Sequence, residues 1–209
     1  GLVDTGTVTT SLIAFSLPTF WMGLLAIYFF SIQLGVLPPN RVVDPGMPAW
    51  NLFHLFGTQI SIPTITETLN RIAHLVLPVT VLTIFQYGNY VLLTRATMLE
   101  TLTEDYILTA KAKGLKDRTI IFKHALKNAS LPIITSSALA FGFLIGGAII
   151  TETVFSYQGI GWLTITSLLQ NMNYPVLQAL FYITALTVII ANFISDLLYG
   201  IIDPRIKYG

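Results

Sequence analysis

The chain contains no cysteine, and only 10% of its 209 residues are charged. Without cysteine there can be no disulfide bond, no thiolate metal site and no cysteine nucleophile. The scarcity of charge, with 54% hydrophobic residues and a mean hydropathy of +0.72, excludes the surface of a normal soluble domain. A formal net charge of +1 gives no bulk attraction to nucleic acid, which is not a predicted partner. The composition predicts a membrane protein that lies in a lipid bilayer.

The chain also lacks an initiator methionine, because it opens Gly1-Leu2-Val3. No basic segment followed by a short apolar stretch and a small-residue cleavage site precedes its first long apolar run, so a signal peptide is not predicted there. We expect a truncated or processed chain.

Intervals without charge mark the predicted membrane spans. A hydrocarbon core about 30 Å thick needs about 20 helical residues, and a charge at its centre costs roughly 2.5 to 3.5 kcal/mol. Four intervals fit, and Pro18 predicts a kink near the start of the first. The third contains Gly142 among other small residues, which allow close helix contact. The predicted spans are residues 11–34, 72–94, 131–151 and 176–198.

The basic residues set the predicted orientation. Nine of the eleven Lys and Arg residues follow the second or the fourth span, whereas Arg41 and Arg71 lie in the loop after the first. Because basic residues concentrate on the cytoplasmic side of a membrane, residues 95–130 are predicted to be a cytoplasmic loop, and both ends of the chain to be cytoplasmic. The nine residues are Arg95, Lys111, Lys113, Lys116, Arg118, Lys123, Lys127, Arg205 and Lys207.

The segment after the third span, residues 152–178, is too poor in charge for an ordinary solvated loop. Gly159, Gly161 and Pro175 interrupt it too often for a span. Residues 162–169 predict a short helix lying in the outer membrane interface. The predicted fold is therefore all-α, a polytopic membrane helical bundle of four transmembrane helices with short cytoplasmic and interfacial helices. It is expected to form a single domain over residues 1–209.

The cytoplasmic loop predicts two short helices joined by a glycine. Asp105 is a suitable first residue, Ile107 and Ala110 share an apolar face, and Gly114 is a natural helix stop. Asp117 is predicted to cap the second helix. Two interpretations of the basic character of the loop stay open: its lysines set topology and touch anionic lipid headgroups, or the projection is a docking site for another protein.

The detailed sequence of this loop favours docking. Residues 104–135, EDYILTAKAKGLKDRTIIFKHALKNASLPIIT, resemble the cytoplasmic loop of ABC-importer permeases of the dipeptide, oligopeptide and nickel family. Ala110, Gly114 and Leu126 match the general importer pattern, and the runs "YxxTAxAKG" and "HALxNAxLP" are typical of the peptide branch. Four positions depart from the general pattern: Leu108, Thr109, His124 and Lys127.

Runs outside the loop are similar to the same family. They are "SLPTFWMGLL" from Ser16, "ETVFSYQGIG" from Glu152 and the ending "DLLYGIIDPRIKYG" from Asp196. The ending and the "FSYxGIG" segment resemble the first, B-type, permease subunit. The resemblance implies an N-terminal part, before "SLPTFWMG", that we expect this chain to lack.

The resemblance implies a permease subunit of an ATP-binding-cassette importer that carries peptides, or a related small solute such as nickel, across the inner membrane of a prokaryote. The implied partners are a second permease subunit, two ATP-binding subunits and an extracytoplasmic solute-binding protein. The chain has no Gly-x-x-x-x-Gly-Lys-Ser/Thr phosphate cradle, so ATP and Mg are expected in partner subunits and this chain is not expected to be an enzyme. The residues implied to dock the ATPase are Asp105, Tyr106, Ile107, Ala110, Lys111, Gly114 and Leu115.

Three polar residues are candidates for a gate or for the solute pathway. Glu152 is one, since a carboxylate near a membrane pathway is costly unless it is used, although it could equally be paired locally. Gln86 and Asn89 in the second span are the others, and interhelical hydrogen bonding is their alternative role. The three histidines are far apart in the predicted topology, so no shared metal site and no cofactor is expected in this chain.

The alternative function is a non-ABC membrane transport protein or a channel subunit. A secondary transporter would carry ionisable residues inside its spans, whereas the predicted spans contain only Asp196, at the inner end of the fourth. A passive channel would have no need of a glycine-centred docking loop. Co-purification with soluble ATPases separates these classes from an ABC permease.

Overall fold

A computed structural model describes the backbone of residues 1–47, 49–55, 58–144, 146–170 and 172–202. Side chains are described for 1–47, 63–142, 144, 146–170 and 172–198. The predictions that concern Arg205 and Lys207, and the side chain of His54, lie outside the described residues.

Helices make up most of the described chain. A bend at Leu17 and the extended Pro18 separate the first two helices. Two helices continue into π-helical segments, Ile27–Gln33 and Ile120–Ala125. The helices are α1 (Leu2–Ser16), α2 (Thr19–Ala26), α3 (Ile65–Leu102), α4 (Asp105–Ala112), α5 (Asp117–Thr119), α6 (Leu126–Leu144), α7 (Ile149–Val154), α8 (Ile160–Leu169) and α9 (Tyr174–Ile202).

The helical membrane class is confirmed, whereas the count of four spans is not. Among the described residues, Ile65–Leu102 and Tyr174–Leu198 are long and apolar enough to cross a membrane, and the bent pair of helices around Pro18 would make a third. The predicted kink at Pro18 is confirmed as a helix break. Residues 131–151 do not form one helix, because α6 ends at Leu144 and Gly147, in a left-handed conformation (φ +79°), precedes α7.

A two-stranded antiparallel sheet lies in the loop after the first predicted span, where the sequence predicted no strand. Strands β1 (Ala49–Leu55) and β2 (Thr58–Pro63) pair so that Trp50 lies opposite Ile62, with an irregularity between Asn51 and Phe53. Residues 59–62 alternate polar and apolar residues, which is the strand signal that the search for charge-free intervals overlooked. The sheet adds to the helical class without changing it.

The described chain divides into two compact units. One consists of Gly1–Ser16, Gln86–Gly146 and the chain from Tyr174, and the other of Leu17–Phe85 and Gly147–Asn173. Helix α3 contributes to both, since the boundary falls between Phe85 and Gln86. The single domain over residues 1–209 stays a prediction.

In the first unit, α6 packs closely on α9. A Cβ at Gly142 would lie 2.9 Å from the Cα of Val188 and 3.4 Å from the Cβ of Ala191, closer than ordinary packing allows. Gly88 likewise allows close contact between α3 and α1, since a Cβ at Gly88 would lie 2.7 Å from the carbonyl oxygen of Ser11. The predicted close contact at Gly142 is confirmed, and small residues are the usual means of such contact between membrane helices.

In the second unit, an apolar cluster forms around Phe155, at the end of α7. Leu77 and Val81 of α3 are buried with it. A Cβ at Gly23 of α2 would lie 3.1 Å from Val154, so glycine allows α2 to approach α7. This cluster lies at the base of the segment that contains Glu152.

Candidate functional site

Helix α4 begins at Asp105, as the sequence predicts. Glu104 before it is extended (φ −70°, ψ 147°), and the N–H groups of Ile107 and Leu108 donate to the carbonyl oxygen of Glu104. The Asp105 carboxylate lies in the first turn, where a negative charge complements the helix dipole. Asp105 is exposed and free to contact a partner.

Gly114 ends α4 with a complete Schellman motif. Its φ of +72° lies in the left-handed region that favours glycine. Its N–H donates to the carbonyl oxygen of Lys111 (2.9 Å), and the N–H of Leu115 donates to that of Ala110 (3.4 Å). The predicted helix stop is confirmed, and a Cβ at Gly114 would meet no heavy atom of the described residues within 4 Å.

Two of the predicted docking residues face the interior of this chain. Ile107 is fully buried and Ala110 nearly so, in a cluster with Ile120 and Ala125. Met98 and Leu102, at the end of α3, pack against the same cluster. Ile107 and Ala110 therefore attach α4 to the neighbouring helices, so their apolar surface is not available to a partner in this structure.

The exposed face of the loop carries different apolar side chains. Leu108 is 57% exposed and Phe122 is 64% exposed, and Leu115 is also exposed. In the sequence, Leu108 is only a departure from the importer pattern, and Phe122 was not among the predicted site residues. Exposed basic residues accompany this face: Lys111, Lys113, Lys116, Arg118 and Lys123.

The second loop helix differs from its prediction. Lys116 is the extended residue (φ −63°, ψ 141°) before α5, so Asp117 is the first helical residue and its side chain makes no capping bond. Asp117 still lies in the first turn, where its charge complements the helix dipole. The helix also does not stop inside the loop: α5, the π-helical segment Ile120–Ala125 and α6 follow without a break from residue 117 to 144.

Tyr106 joins α4 to the beginning of α6. Its hydroxyl oxygen accepts a hydrogen bond from Nδ2 of Asn128, at 2.8 Å. Both residues line a shallow cavity of about 380 Å³ together with Glu100 and Glu104. Asn128 was not among the predicted site residues, although it belongs to the "HALxNAxLP" run.

Glu152, on α7, holds two backbone segments with one carboxylate. Its Oε1 accepts from the N–H of Ala148 (2.9 Å), and its Oε2 accepts from the N–H of Trp162 (2.8 Å). Trp162 is the third residue of α8. The N-cap of α8 is Gly159, which has no side chain that could accept a hydrogen bond from the N–H of Trp162. Glu152 supplies the missing cap from another helix, so the locally paired alternative describes its geometry.

The glycines around Glu152 make room for this arrangement. A Cβ at Gly159 would lie 2.5 Å from Oε2 of Glu152, and a Cβ at Gly147 would lie 2.9 Å from Oε1. A Cβ at Gly161 would lie 2.7 Å from the Cα of Ile149. The "FSYQGIG" run thus places glycine at two positions where a side chain would displace the carboxylate or the neighbouring helix.

The predicted helix at 162–169 is confirmed as α8, which begins two residues earlier. Its buried residues are small or polar, namely Gly161, Thr164 and Ser167, whereas Leu163 and Leu169 are exposed. In a helix of a soluble protein, the apolar residues are buried and the polar ones exposed. The reverse distribution in α8 fits a helix whose apolar side contacts lipid. The position of α8 in the membrane interface stays a prediction.

Gln86 and Asn89 lie three residues apart on α3, which places them on one helix face. Both are half-buried, and neither side chain is hydrogen-bonded to another described residue. They belong to the first unit and Glu152 to the second. Their place along a solute pathway stays a prediction.

A polar cluster connects the loop after the first predicted span to α3. The sequence did not predict it. The backbone N–H of Asp44 donates to Oδ1 of Asn70 (2.9 Å), and Nδ2 of Asn70 donates to Oδ2 of Asp44 (2.7 Å). The buried ring of His74 lies between the Asn70 carbonyl oxygen (2.9 Å) and Oδ1 of Asp44 (3.5 Å). Nearby in sequence, Arg71 pairs with the buried Glu67 at 2.7 Å. In the sequence, the spacing of four residues in both pairs, Glu67/Arg71 and Asn70/His74, was the feature that could have indicated these contacts.

The described residues offer no group of three or more His, Asp or Glu side chains suited to a metal ion. The arginine at the predicted inner end of the second span, Arg95, forms an ion pair with Asp4 of α1, with 3.0 Å between Nε and Oδ1. Both side chains are about half exposed. This pair joins α1 to α3 within the first unit.

The chain matches the family described as binding-protein-dependent transport system inner membrane component over residues 1–208. It is 38% identical over 206 residues to the oligopeptide transport system permease protein AppB of Bacillus subtilis (strain 168), covering 99% of this chain and 60% of that protein. It is 40% identical over 210 residues to the di/tripeptide transport system permease protein DppB of Pseudomonas aeruginosa (strain UCBPP-PA14), covering 99% and 62%.

A third relative is the dipeptide transport system permease protein DppB of Escherichia coli (strain K12), 37% identical over 212 residues and covering 99% of this chain and 62% of that protein. The chain therefore spans about 60% of the length of these curated relatives. The family match extends over nearly every residue, including the loop at Gly114 and the segment at Glu152. The chain belongs to the family of inner membrane components of binding-protein-dependent transport systems.

Proposed function

We propose that this chain is the membrane-spanning part of a permease subunit of an ATP-binding-cassette importer for peptides. The observation that carries the proposal is the family match over residues 1–208, together with relatives named for dipeptide, tripeptide and oligopeptide transport. The prediction of a B-type subunit agrees with those relatives' names. A peptide is the proposed cargo.

The ATPase docks on the exposed face of the cytoplasmic loop. Helix α4 is short and ends in a left-handed glycine, so it projects a turn that a partner can grip. Leu108, Leu115 and Phe122 supply exposed apolar surface, and the surrounding lysines supply positive charge that can pair with carboxylates. Asp105, Tyr106, Lys111 and Gly114 border this face, whereas Ile107 and Ala110 hold α4 from behind.

The proposed assembly contains a second permease subunit, two ATP-binding subunits and an extracytoplasmic solute-binding protein. ATP and Mg bind in the ATP-binding subunits, and this chain acts as a transport permease. The complex lies in the inner membrane of a prokaryote with the loop at 95–130 on the cytoplasmic side, as the concentration of basic residues there favours. Both ends of this chain are then cytoplasmic.

Within the permease, Gln86 and Asn89 are the proposed pathway residues, because α3 carries both on one face. Glu152 has a different proposed role at the outer side. Since its two carboxylate oxygens already accept backbone N–H groups, it stabilises the α7–α8 segment.

An uptake assay tests the proposal. The full-length permease is reconstituted into liposomes with its second permease, both ATP-binding subunits and the binding protein, and labelled dipeptide inside the liposomes is measured with and without ATP. We expect uptake that needs both ATP and the binding protein. Uptake that persists without ATP, or no uptake of any of a panel of dipeptides, tripeptides and oligopeptides, would contradict the proposal.

A further inference from the structure

The attachment of α4 to the membrane helices depends on two kinds of contact. Ile107 and Ala110 are buried against Ile120 and Ala125, and Tyr106 is hydrogen-bonded to Asn128. The apolar contacts lie on one line along α4, because residues three apart share a helix face. Contacts on a single line fix where a helix lies but resist its rotation about that line only weakly.

Tyr106 resists that rotation. It precedes Ile107 by one residue and Ala110 by four, so its side chain leaves α4 to one side of the buried line, about 100° around the helix from Ile107 and about 40° from Ala110, given about 3.6 residues per turn. Its phenol ring carries the hydroxyl well away from the helix axis before that group meets Nδ2 of Asn128 at 2.8 Å. A bond at the end of a long arm opposes rotation better than one near the axis.

Asn128 lies where a rotation of α4 would be passed on to α6. It is the third residue of α6, and α6 follows directly on the π-helical segment Ile120–Ala125. π-helical turns within α-helices are rare and are found frequently at functional sites. Since α6 packs on α9 at Gly142, a rotation passed to Asn128 reaches two long helices of the same unit.

We propose that Tyr106 and Asn128 are positioning residues that convert movement of α4 into movement of α6. The inference rests on the proposed function and deepens it. When the ATPase moves α4, the apolar cluster carries the displacement, and the Tyr106–Asn128 bond carries the rotation. Loss of the bond lets α4 turn on its buried line while the ATPase remains docked on the opposite, exposed face.

The test measures peptide taken up per ATP hydrolysed by the assembled transporter in liposomes. Tyr106→Phe and Asn128→Leu each remove the hydrogen bond with little change in size, and Asn128→Asp keeps it, because the tyrosine hydroxyl can donate to the carboxylate. Tyr182→Phe on α9 is the matched control, since Tyr182 is 70% exposed and makes no hydrogen bond to another described residue. Co-purification of the ATP-binding subunits is measured for every variant.

We expect each bond-removing variant to lower uptake per ATP about 3- to 10-fold, the range expected for one hydrogen bond, with co-purification unchanged. The double variant should be no worse than either single variant, and Asn128→Asp and Tyr182→Phe should behave like wild type. Unchanged uptake per ATP in Tyr106→Phe would overturn the inference, as would parallel loss of uptake and co-purification. A wild-type permease that binds no ATPase would instead contradict the proposed function.

Discussion

The carboxylate of Glu152 accepts a hydrogen bond from the backbone N–H of Trp162, ten residues later in the chain, with 2.8 Å between the two atoms. Because the N-cap of α8 is Gly159, this bond replaces the one that a capping side chain would make. The other oxygen of the same carboxylate binds the N–H of Ala148. One side chain thus fixes the start of two helices.

The main effect of replacing Glu152 should therefore be a loss of folding stability, and not a change in solute recognition. In Glu152→Gln, an amide NH₂ group faces one of the two backbone N–H donors, so one of them loses its acceptor. We expect a loss of about 1 to 3 kcal/mol of stability, seen as a lower midpoint of thermal unfolding in detergent. Glu100→Gln, at an exposed glutamate, is the control and should unfold like wild type. Equal midpoints for the two variants would contradict a capping role.

Gly142 should tolerate no side chain, since α6 and α9 touch there. Gly142→Val should cost about 1 to 3 kcal/mol, because the helices must separate or Val188 must shift. Gly6→Ala in α1 is the matched control: no heavy atom of the described residues lies within 4 Å of the position that a Cβ would take, so alanine should raise helix stability by up to about 1 kcal/mol. Thermal unfolding of the two variants should shift in opposite directions, and a neutral Gly142→Val would refute the close contact.

Gly114→Asp should leave membrane insertion intact and abolish transport and ATPase association. The variant side chain has room in this chain, so the loss is expected from the partner that covers the turn. Gly114→Asn separates this effect from backbone strain, because Asn has a similar size, lacks the charge and accepts the left-handed conformation as readily as Asp. The amount of permease in membranes, co-purified ATPase and peptide uptake are measured for both. Normal co-purification and uptake with Gly114→Asp would exclude the turn from the docking surface.

Ile107 and Leu108 are neighbours with opposite expected roles. Ile107→Ala removes a fully buried side chain and should destabilise the loop by about 2 to 5 kcal/mol, seen as faster trypsin cleavage at the loop lysines. Leu108→Ala should leave trypsin cleavage unchanged and reduce ATPase co-purification, because this side chain is 57% exposed. If Leu108→Ala opened the loop and Ile107→Ala did not, the assignment of the two faces would be reversed.

The sequence predicted the loop helix well because its ends are local. The start at Asp105 and the stop at Gly114 follow from charge and backbone freedom within a few residues, and the structure has both. The sequence could not say what covers the apolar face of Ile107 and Ala110, since helical periodicity is the same whether the covering surface belongs to the same chain or to a partner. A docking role for Ile107 and Ala110 consequently stays a prediction, although both are buried within this chain.

The role of Glu152 depended on contacts that are distant in sequence. A carboxylate beside a predicted span is compatible with a gate, and only the position of the α8 N-terminus shows where its oxygens are bound. The third predicted span is not one continuous helix, for a related reason. Residues 131–151 lack charge throughout, but the left-handed Gly147 ends the possibility of one continuous helix, and hydropathy does not register backbone conformation.

The central claim, that the exposed face of α4 contacts the ATPase, is tested most directly by site-directed cross-linking. Residues 1–209 contain no cysteine, so a single introduced thiol is the only one in this part of the permease. Leu108→Cys lies on the proposed docking face, and Leu169→Cys, 68% exposed at the end of α8, is the control on the predicted outer side. In the assembled transporter, a thiol-to-amine cross-linker should join the ATP-binding subunit to Leu108→Cys and not to Leu169→Cys. Failure of Leu108→Cys to cross-link, or equal yields from both positions, would contradict the account.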